Sequence, residues 1–178
     1  KTHASGKLLF NCRVIPNRGS WLDFEFDVKD LLYFRVDRKK KILVSTLLLA
    51  LGFNKSDMIN EFYDKEVYNF DSKSKKWKTK FNPENYKSKN FSEEIIDAKS
   101  NKVIIKKGEK INYLKAKKLH SDGLKEIIVS SEFLFGKYLT KQFILGEDTF
   151  KIGTELNETI VNKVIEQNIT TIETAYTN

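Results

Sequence analysis

Two neighbouring segments near the start of the chain alternate between apolar and polar residues with a period of two. Paired β-strands accommodate this pattern and helices do not. The apolar positions of the two segments are Leu22, Phe24, Phe26 and Val28, then Leu32, Phe34 and Val36. Because only Lys29 and Asp30 separate the segments, the pattern predicts an antiparallel hairpin with one apolar face. Arg35 should then lie among the carboxylates of the polar face, since opposite charges favour cross-strand pairing.

The polar side of this hairpin also carries an aromatic residue and is followed by a block of cations. Periodicity places Trp21 beside Asp23, where an exposed indole could stack on an unpaired base. The preceding turn could equally bend the indole back into the core, and the pattern alone does not decide. The run Arg38-Lys39-Lys40-Lys41 can contact a phosphate backbone or form the solvated start of a helix. The helix dipole disfavours cations at that end, which favours the functional interpretation.

Composition favours an acidic partner. A net charge of +8 and a pI near 9.3 suit nucleic acid, although solubilising lysines would give the same balance. The 178 residues are enough for one domain or two small ones. The single cysteine, Cys12, excludes an internal disulfide, fits a reducing cytoplasm and is expected to be buried in its apolar run. No stretch approaches the roughly 18 apolar residues of a membrane span, and no signal peptide is recognisable. Since the chain opens without Met, we expect a piece of a longer protein.

No catalytic or metal site is predicted. Asp23, Glu25 and Asp27 share one strand face and could hold a divalent metal as in nucleases. A face neutralised by nearby cations is the favoured alternative, because metal sites usually take ligands from several elements. Neither His3 nor His120 has the spacing of a nucleophile and its base.

The rest of the chain reads as a mixture of helices and hairpins, so the predicted fold class is α+β. Helices are expected over residues 42–51 and from about residue 54 to 63. Hairpins are expected for 67–70 with 77–81 and for 95–98 with 103–105, and residues 82–90 are expected to be a loop. Trp77 alternates with lysines and is predicted to pack in the core under a basic outer face.

The second half contains an internal repeat with an offset of 45 positions, from Gly108 to Gly153 and from Gly123 to Asn168. Each unit reads as a glycine turn, an apolar anchor, a helix, a left-handed cap and a strand. The helices are predicted over 113–121 and 158–167. Chance similarity is the alternative, but the matched glycine, apolar and cap positions favour a duplicated unit.

Several motifs in the first half together resemble a known family: Ser5-Gly6-Lys7, Arg13-Val14-Ile15-Pro16, the run from Arg18 to Asp27, Lys29-Asp30, Arg35-Val36-Asp37-Arg38, Leu47 to Gly52 and Ile59 to Tyr63. With these motifs the chain resembles the β lobe (domain 2) of the bacterial DNA-directed RNA polymerase β subunit. Weaker matches resemble the lineage-specific insertion of this lobe: Val103, Lys107-Gly108, Gly136-Lys137, Ile172-Glu173-Thr174 and Thr177-Asn178. The expected organisation is therefore a β-lobe segment, residues 1–65, and an inserted α+β module, residues 66–178.

The resemblance implies a non-catalytic segment that lines the downstream DNA channel of a cytoplasmic, nucleoid-bound nucleotidyltransferase. It implies that Trp21 stacks on a non-template base, and that the nucleic-acid-binding residues are Trp21, Arg18, Asp37, Arg38, Lys39 and Lys40. The implied partners are DNA, the β′, α and ω subunits, a sigma factor and regulators that dock on the insertion. No cofactor is expected in this segment, because the magnesium ions of the whole enzyme belong to β′.

The chain departs from the family pattern at several positions. Asn17 stands where the family usually has Tyr, and Lys39 and Lys40 stand where it mostly has Arg. Lysine keeps the charge but loses the bidentate fork of arginine. Ile42-Leu43 replaces the usual Leu-Pro and is expected to lengthen the following helix by a turn. The alternatives that stay open are a free-standing nucleic-acid-binding protein, a metal-dependent nuclease and a module whose main task is protein docking.

Overall fold

The computed structural model describes residues 2–86 and 89–177, with the backbone alone at residues 89 and 90. The chain forms two compact units, residues 1–54 and 55–178. The division proposed between residues 65 and 66, for a lobe segment and an insertion, stays a prediction, and the terminal residues Lys1 and Asn178 lie outside the described part. In that part no helix is long and apolar enough to cross a bilayer.

The first unit is a four-stranded antiparallel meander followed by one helix. Its elements are β1 (Asn11–Val14), β2 (Leu22–Phe26), β3 (Leu32–Val36), β4 (Ile42–Leu43) and α1 (Val44–Ala50). The predicted hairpin is confirmed, because Phe24 lies opposite Phe34 and Asp23 lies opposite Arg35. The Asp27 carboxylate closes the turn by accepting hydrogen bonds from the amides of Lys29 and Leu31, at 2.8 and 2.9 Å.

Two expectations for this unit are wrong. Cys12 is exposed rather than buried, because β1 is an edge strand whose four residues are all exposed. Ile42 and Leu43 do not lengthen the helix but form β4, which pairs with Phe34 and Tyr33. Strand pairing satisfies their backbone groups, and α1 begins only at Val44. Gly52 follows the helix with a φ of +94°, as expected of a residue that ends it.

The second unit begins with α2 (Lys55–Phe62) and is built around a seven-stranded sheet. The strands of the whole unit are β5 (Lys65–Asp71), β6 (Lys76–Lys80), β7 (Lys89–Asn90), β8 (Ile95–Asp97), β9 (Val103–Ile105), β10 (Lys110–Ile111), β11 (Glu126–Val129), β12 (Tyr138–Leu139), β13 (Phe143–Leu145), β14 (Asp148–Phe150) and β15 (Thr171–Ala175). The sheet order is β12-β15-β5-β6-β11-β8-β9, and β7 with β10 and β13 with β14 form separate pairs. Both predicted hairpins are present. The loop expected over 82–90 instead contains a 3-10 turn, Pro83–Tyr86, and β7.

The internal repeat is visible in the structure. Helix α3 (Tyr113–Ser121) matches α4 (Glu158–Glu166) at the same offset of 45 positions. Each helix is capped by an asparagine, Asn112 or Asn157, whose side chain accepts from the amide three residues on. Each is followed by a strand that flanks one arm of the β5–β6 hairpin, β11 beside β6 and β15 beside β5. The two helix–strand units therefore occupy equivalent places on either side of the hairpin.

The core of the second unit packs around the β5–β6 hairpin. Tyr68 and Trp77 are fully buried, which confirms the core position predicted for Trp77. The core also holds an ion pair between Glu66 and Lys137, whose charged atoms are 2.7 Å apart. Burial acts to raise the pKa of the Glu66 carboxyl, but the Lys137 ammonium and hydrogen bonds from Tyr68 and Asn85 outweigh it, so the pKa is lowered. The Glu66 carboxylate is therefore charged at neutral pH.

Candidate nucleic-acid interface

The indole of Trp21 lies at the surface of the first unit. Trp21 comes immediately before β2, on the side of the sheet that carries Asp23 and Glu25, and 42% of its area is exposed. The turn at residues 18–20 therefore does not bend the ring back into the core. A half-exposed indole on a polar sheet face offers an apolar surface that a planar ligand can cover.

Asp37, in the turn that follows β3, holds the backbone of Trp21 in place. The amide of Trp21 donates to Asp37 Oδ1 at 2.9 Å, and the amide of Asp37 donates to the carbonyl of Trp21 at 3.0 Å. Asp37 and Arg38 form the corner of a tight turn, with φ values of +48° and +61°. Hydrogen bonds from the Ser20 hydroxyl and the Trp21 amide lower the pKa of Asp37, so its carboxylate stays charged and keeps both bonds. Asp37 is thus a positioning residue for Trp21.

Arg13 supports the indole from β1, and sequence reasoning assigned it no role. Its guanidinium lies 5.1 Å from the centre of the Trp21 ring, within the range of a cation–π contact. The same guanidinium forms an ion pair with Asp23, which lies directly opposite Arg13 in the sheet, and the Arg13 hydrogen bond lowers the pKa of that carboxyl. The strand pairing that creates this contact is the signal that could have revealed Arg13.

A depression of about 580 Å³ on this face gathers three guanidinium groups, those of Arg13, Arg35 and Arg38. Their charges are partly balanced by Asp23 and Glu25. Arg35 donates to Glu25 at 3.1 Å, and Lys41 lies 3.4 Å from the same carboxylate. Partial burial acts to raise the pKa of Glu25, but these hydrogen bonds outweigh it and the pKa is lowered.

The contacts of the acidic residues bear on the nuclease alternative. Asp23 contacts Arg13, Glu25 contacts Arg35 and Lys41, and Asp27 accepts from turn amides. Each carboxylate already has its own partners, as expected of a neutralised face. Across residues 2–86 and 89–177, no three His, Cys, Asp or Glu side chains are grouped so that they could hold a metal ion.

The remaining predicted site residues divide into two groups. Arg38 joins the arginines of the depression. Arg18, Lys39 and Lys40 are exposed and lie within three residues of Trp21 or Arg38 in the sequence. Lys41, the last cation of the run, is instead held over the ring of Tyr33 at 4.1 Å and beside Glu25. The surface that results combines one aromatic ring, an arginine cluster and exposed lysines, which is the chemistry that binds a phosphate backbone and an unpaired base.

A family model and several individual proteins similar to this chain all concern RNA polymerase. The family model for RNA polymerase Rpb2, domain 2, matches residues 10–147. The chain is 49% identical over 138 residues, 77% of its length, to a protein of Orientia tsutsugamushi named DNA-directed RNA polymerase subunit beta. Proteins of the same name from Rickettsia felis and Caulobacter vibrioides are 39% and 40% identical over 100% and 97% of the chain.

The chain spans 10–13% of the length of these three relatives. It is therefore comparable with one part of each of them. The chain belongs to the RNA polymerase Rpb2 domain 2 family, as a segment of the β subunit of bacterial DNA-directed RNA polymerase.

Proposed function

We propose that this chain is a DNA-facing, non-catalytic part of a transcribing polymerase, in which Trp21 stacks on an unpaired base of the non-template strand. The observation that carries the proposal is the support around the indole. Asp37 fixes its backbone and Arg13 covers the ring, while 42% of the side chain is left exposed. A ring held in this way loses little conformational freedom on stacking, so more of the interaction energy appears as binding.

The cations near Trp21 have a separate role in this proposal. Arg18, Arg38, Lys39 and Lys40 contact phosphates and hold the strand in register, but they carry no base preference. Lys39 and Lys40 act as point charges, so their contacts are less directional than those of an arginine.

The rest of the enzyme supplies the chemistry. The proposed partners are DNA, the β′, α and ω subunits and a sigma factor, in the cytoplasm at the nucleoid. Nucleotidyl transfer and the magnesium ions that it requires are assigned to β′. The second unit, residues 55–178, is proposed as a surface on which transcription regulators dock.

The test compares Trp21→Ala and Trp21→Phe in the assembled polymerase. Stacking on a base is worth roughly 1–3 kcal/mol, so loss of the ring should shorten the lifetime of the open promoter complex about 5–150-fold. Phenylalanine should restore part of the lifetime because it keeps an aromatic face. Elongation rates should stay close to those of the unaltered enzyme. Equal open-complex lifetimes for all three proteins would remove Trp21 from the DNA site.

A further inference from the structure

The second unit contains a cleft of about 950 Å³, here called the lysine cleft. It is lined by residues of the 3-10 turn Pro83–Tyr86, α3, the β8–β9 turn and the start of β11. Pro83, Ala98 and Tyr113 supply apolar surface. The cleft is open to solvent and large enough for several residues of an extended peptide.

Three carboxylates line the cleft, and two of them accept hydrogen bonds. Glu84 accepts a hydrogen bond from the Tyr113 hydroxyl at 2.7 Å. Asp97 accepts from the Ser100 hydroxyl at 2.5 Å and from the amides of Lys99 and Ser100 at 3.1 Å. Glu126 lies opposite Lys80 in the sheet. None of these hydrogen bonds involves the ammonium groups of Lys99, Lys117 or Lys125.

Within the described part of the chain, the lysines of the cleft form no close ion pair, although the charge of Lys99 also acts on the Asp97 carboxylate. Among the residues that the structure describes, no carboxylate lies within ion-pair distance of the ammonium groups of Lys99, Lys117 or Lys125. Lys117 lies 6.0 Å from the Tyr113 ring, and Lys125 lies 3.3 Å from His120 Nε2. The cleft therefore combines ammonium groups that are not held in close ion pairs with the apolar surface of Pro83, Ala98 and Tyr113.

The internal repeat shows that the fold does not need these residues. The positions that match Tyr113, Lys117, His120 and Lys125 in the other copy hold Glu158, Asn162, Ile165 and Thr170. That copy still forms the same helix, cap and strand. The cap itself is asparagine in both copies because the fold requires it. The cationic and aromatic set is thus specific to the copy that lines the cleft.

We propose that the lysine cleft binds an acidic segment of a partner protein, whose carboxylates pair with Lys99, Lys117 and Lys125 while an apolar side chain packs on Pro83 and Tyr113. This inference rests on the proposed role of the second unit as a docking surface. One feature favours a peptide over nucleic acid. The apolar surface of Pro83 and Ala98 lies in the same cleft as the lysines, so a peptide can pack an apolar side chain there beside its own carboxylates.

The experiment pans a phage-displayed library of random peptides on the full 178-residue chain. Enriched peptides should combine Asp or Glu with a neighbouring apolar residue. Their affinity should fall about tenfold or more for Lys117→Glu/Lys125→Glu, because exposed charge pairs are lost and replaced by repulsion. The matched control, Lys107→Glu/Lys118→Glu, changes the net charge equally, and Lys118 adjoins Lys117 on α3 without lining the cleft. Affinity for the control should stay within about twofold.

A Lys117→Gln/Lys125→Gln variant repeats the test without charge reversal, in case the double reversal disturbs folding. Enrichment of no acidic sequence, or equal weakening by the cleft and control variants, would overturn the proposal. Binding of a single-stranded oligothymidine that the cleft variant alone loses would also overturn it. Trp21→Ala should leave peptide affinity unchanged, so this test and the open-complex test can fail independently.

Discussion

The two repeat glycines, Gly153 and Gly108, allow the cost of a packing clash to be separated from the cost of backbone strain. Their φ values are +78° and +79°, so alanine suffers the same left-handed strain at both positions. A Cβ at residue 153 would lie 2.6 Å from Lys55 Cε and 2.9 Å from Ile59 Cδ1, whereas at residue 108 it would meet nothing within 4 Å. Only Gly153→Ala should therefore disturb the packing of α2 against this turn.

The magnitude follows from these contacts. The left-handed conformation costs an alanine about 1–2 kcal/mol at either position. At residue 153 the Lys55 side chain must also move, which breaks its 3.2 Å hydrogen bond to the Gly153 carbonyl, and Ile59 must shift within its packed site. Overpacking of this kind costs about 1–3 kcal/mol. Gly153→Ala should thus lower the free energy of unfolding by about 1–3 kcal/mol more than Gly108→Ala.

The assay is urea unfolding followed by the fluorescence of Trp77, which is fully buried in the second unit. A Trp21→Phe background removes the only other indole, so the signal reports the second unit alone. Adding Lys55→Ala to Gly153→Ala should recover part of the lost stability, because the clashing side chain is removed. Equal destabilisation by the two glycine variants, or no recovery in the double variant, would refute the packing argument.

Two further predictions concern charged groups. Lys137→Met leaves Glu66 unpaired in the core and should lower the unfolding free energy by about 3–5 kcal/mol at pH 7. The pKa of Glu66 is lower in the folded state than in the unfolded chain. The ionised carboxylate therefore contributes to stability above the pKa of the unfolded chain, and this contribution is lost as pH falls through the pKa of the folded state. The difference in unfolding free energy between Lys137→Met and the unaltered chain should therefore become smaller in acid. A difference that does not depend on pH would contradict this prediction. Asp37→Ala should shorten the open-complex lifetime as Trp21→Ala does, and the double variant should be little worse than either, whereas additive effects would mean that Asp37 does not act through Trp21.

Local patterns predicted much of this fold. The alternation from Trp21 to Val36 determined which residues share a face, because a period of two survives only in paired strands. The repeat predicted the bounds of α3, since a cap, an apolar anchor and a glycine turn are all local signals. Ile42 and Leu43 were assigned wrongly because their strand conformation depends on pairing with β3, and the sequence of the segment does not contain that information.

The candidate site was predictable only in part. Trp21 and the cations after β3 are adjacent in sequence to a clear pattern, which identified them as candidates but left open whether the indole is exposed or packed in the core. Arg13 comes from an edge strand, and its contact with the indole depends on the pairing of β1 with β2. Cys12 was assigned wrongly for the same reason, because an apolar run does not reveal that its strand lies at an edge. The lysine cleft takes residues from four separate segments and had no local signal at all.

The most direct test of the central claim places 2-aminopurine at successive non-template positions of a promoter bound by the polymerase. If Trp21 stacks on one unpaired base, fluorescence should be quenched at one position, released by Trp21→Ala and retained with Trp21→Phe. Fluorescence that is independent of residue 21 at every unpaired position would contradict the account.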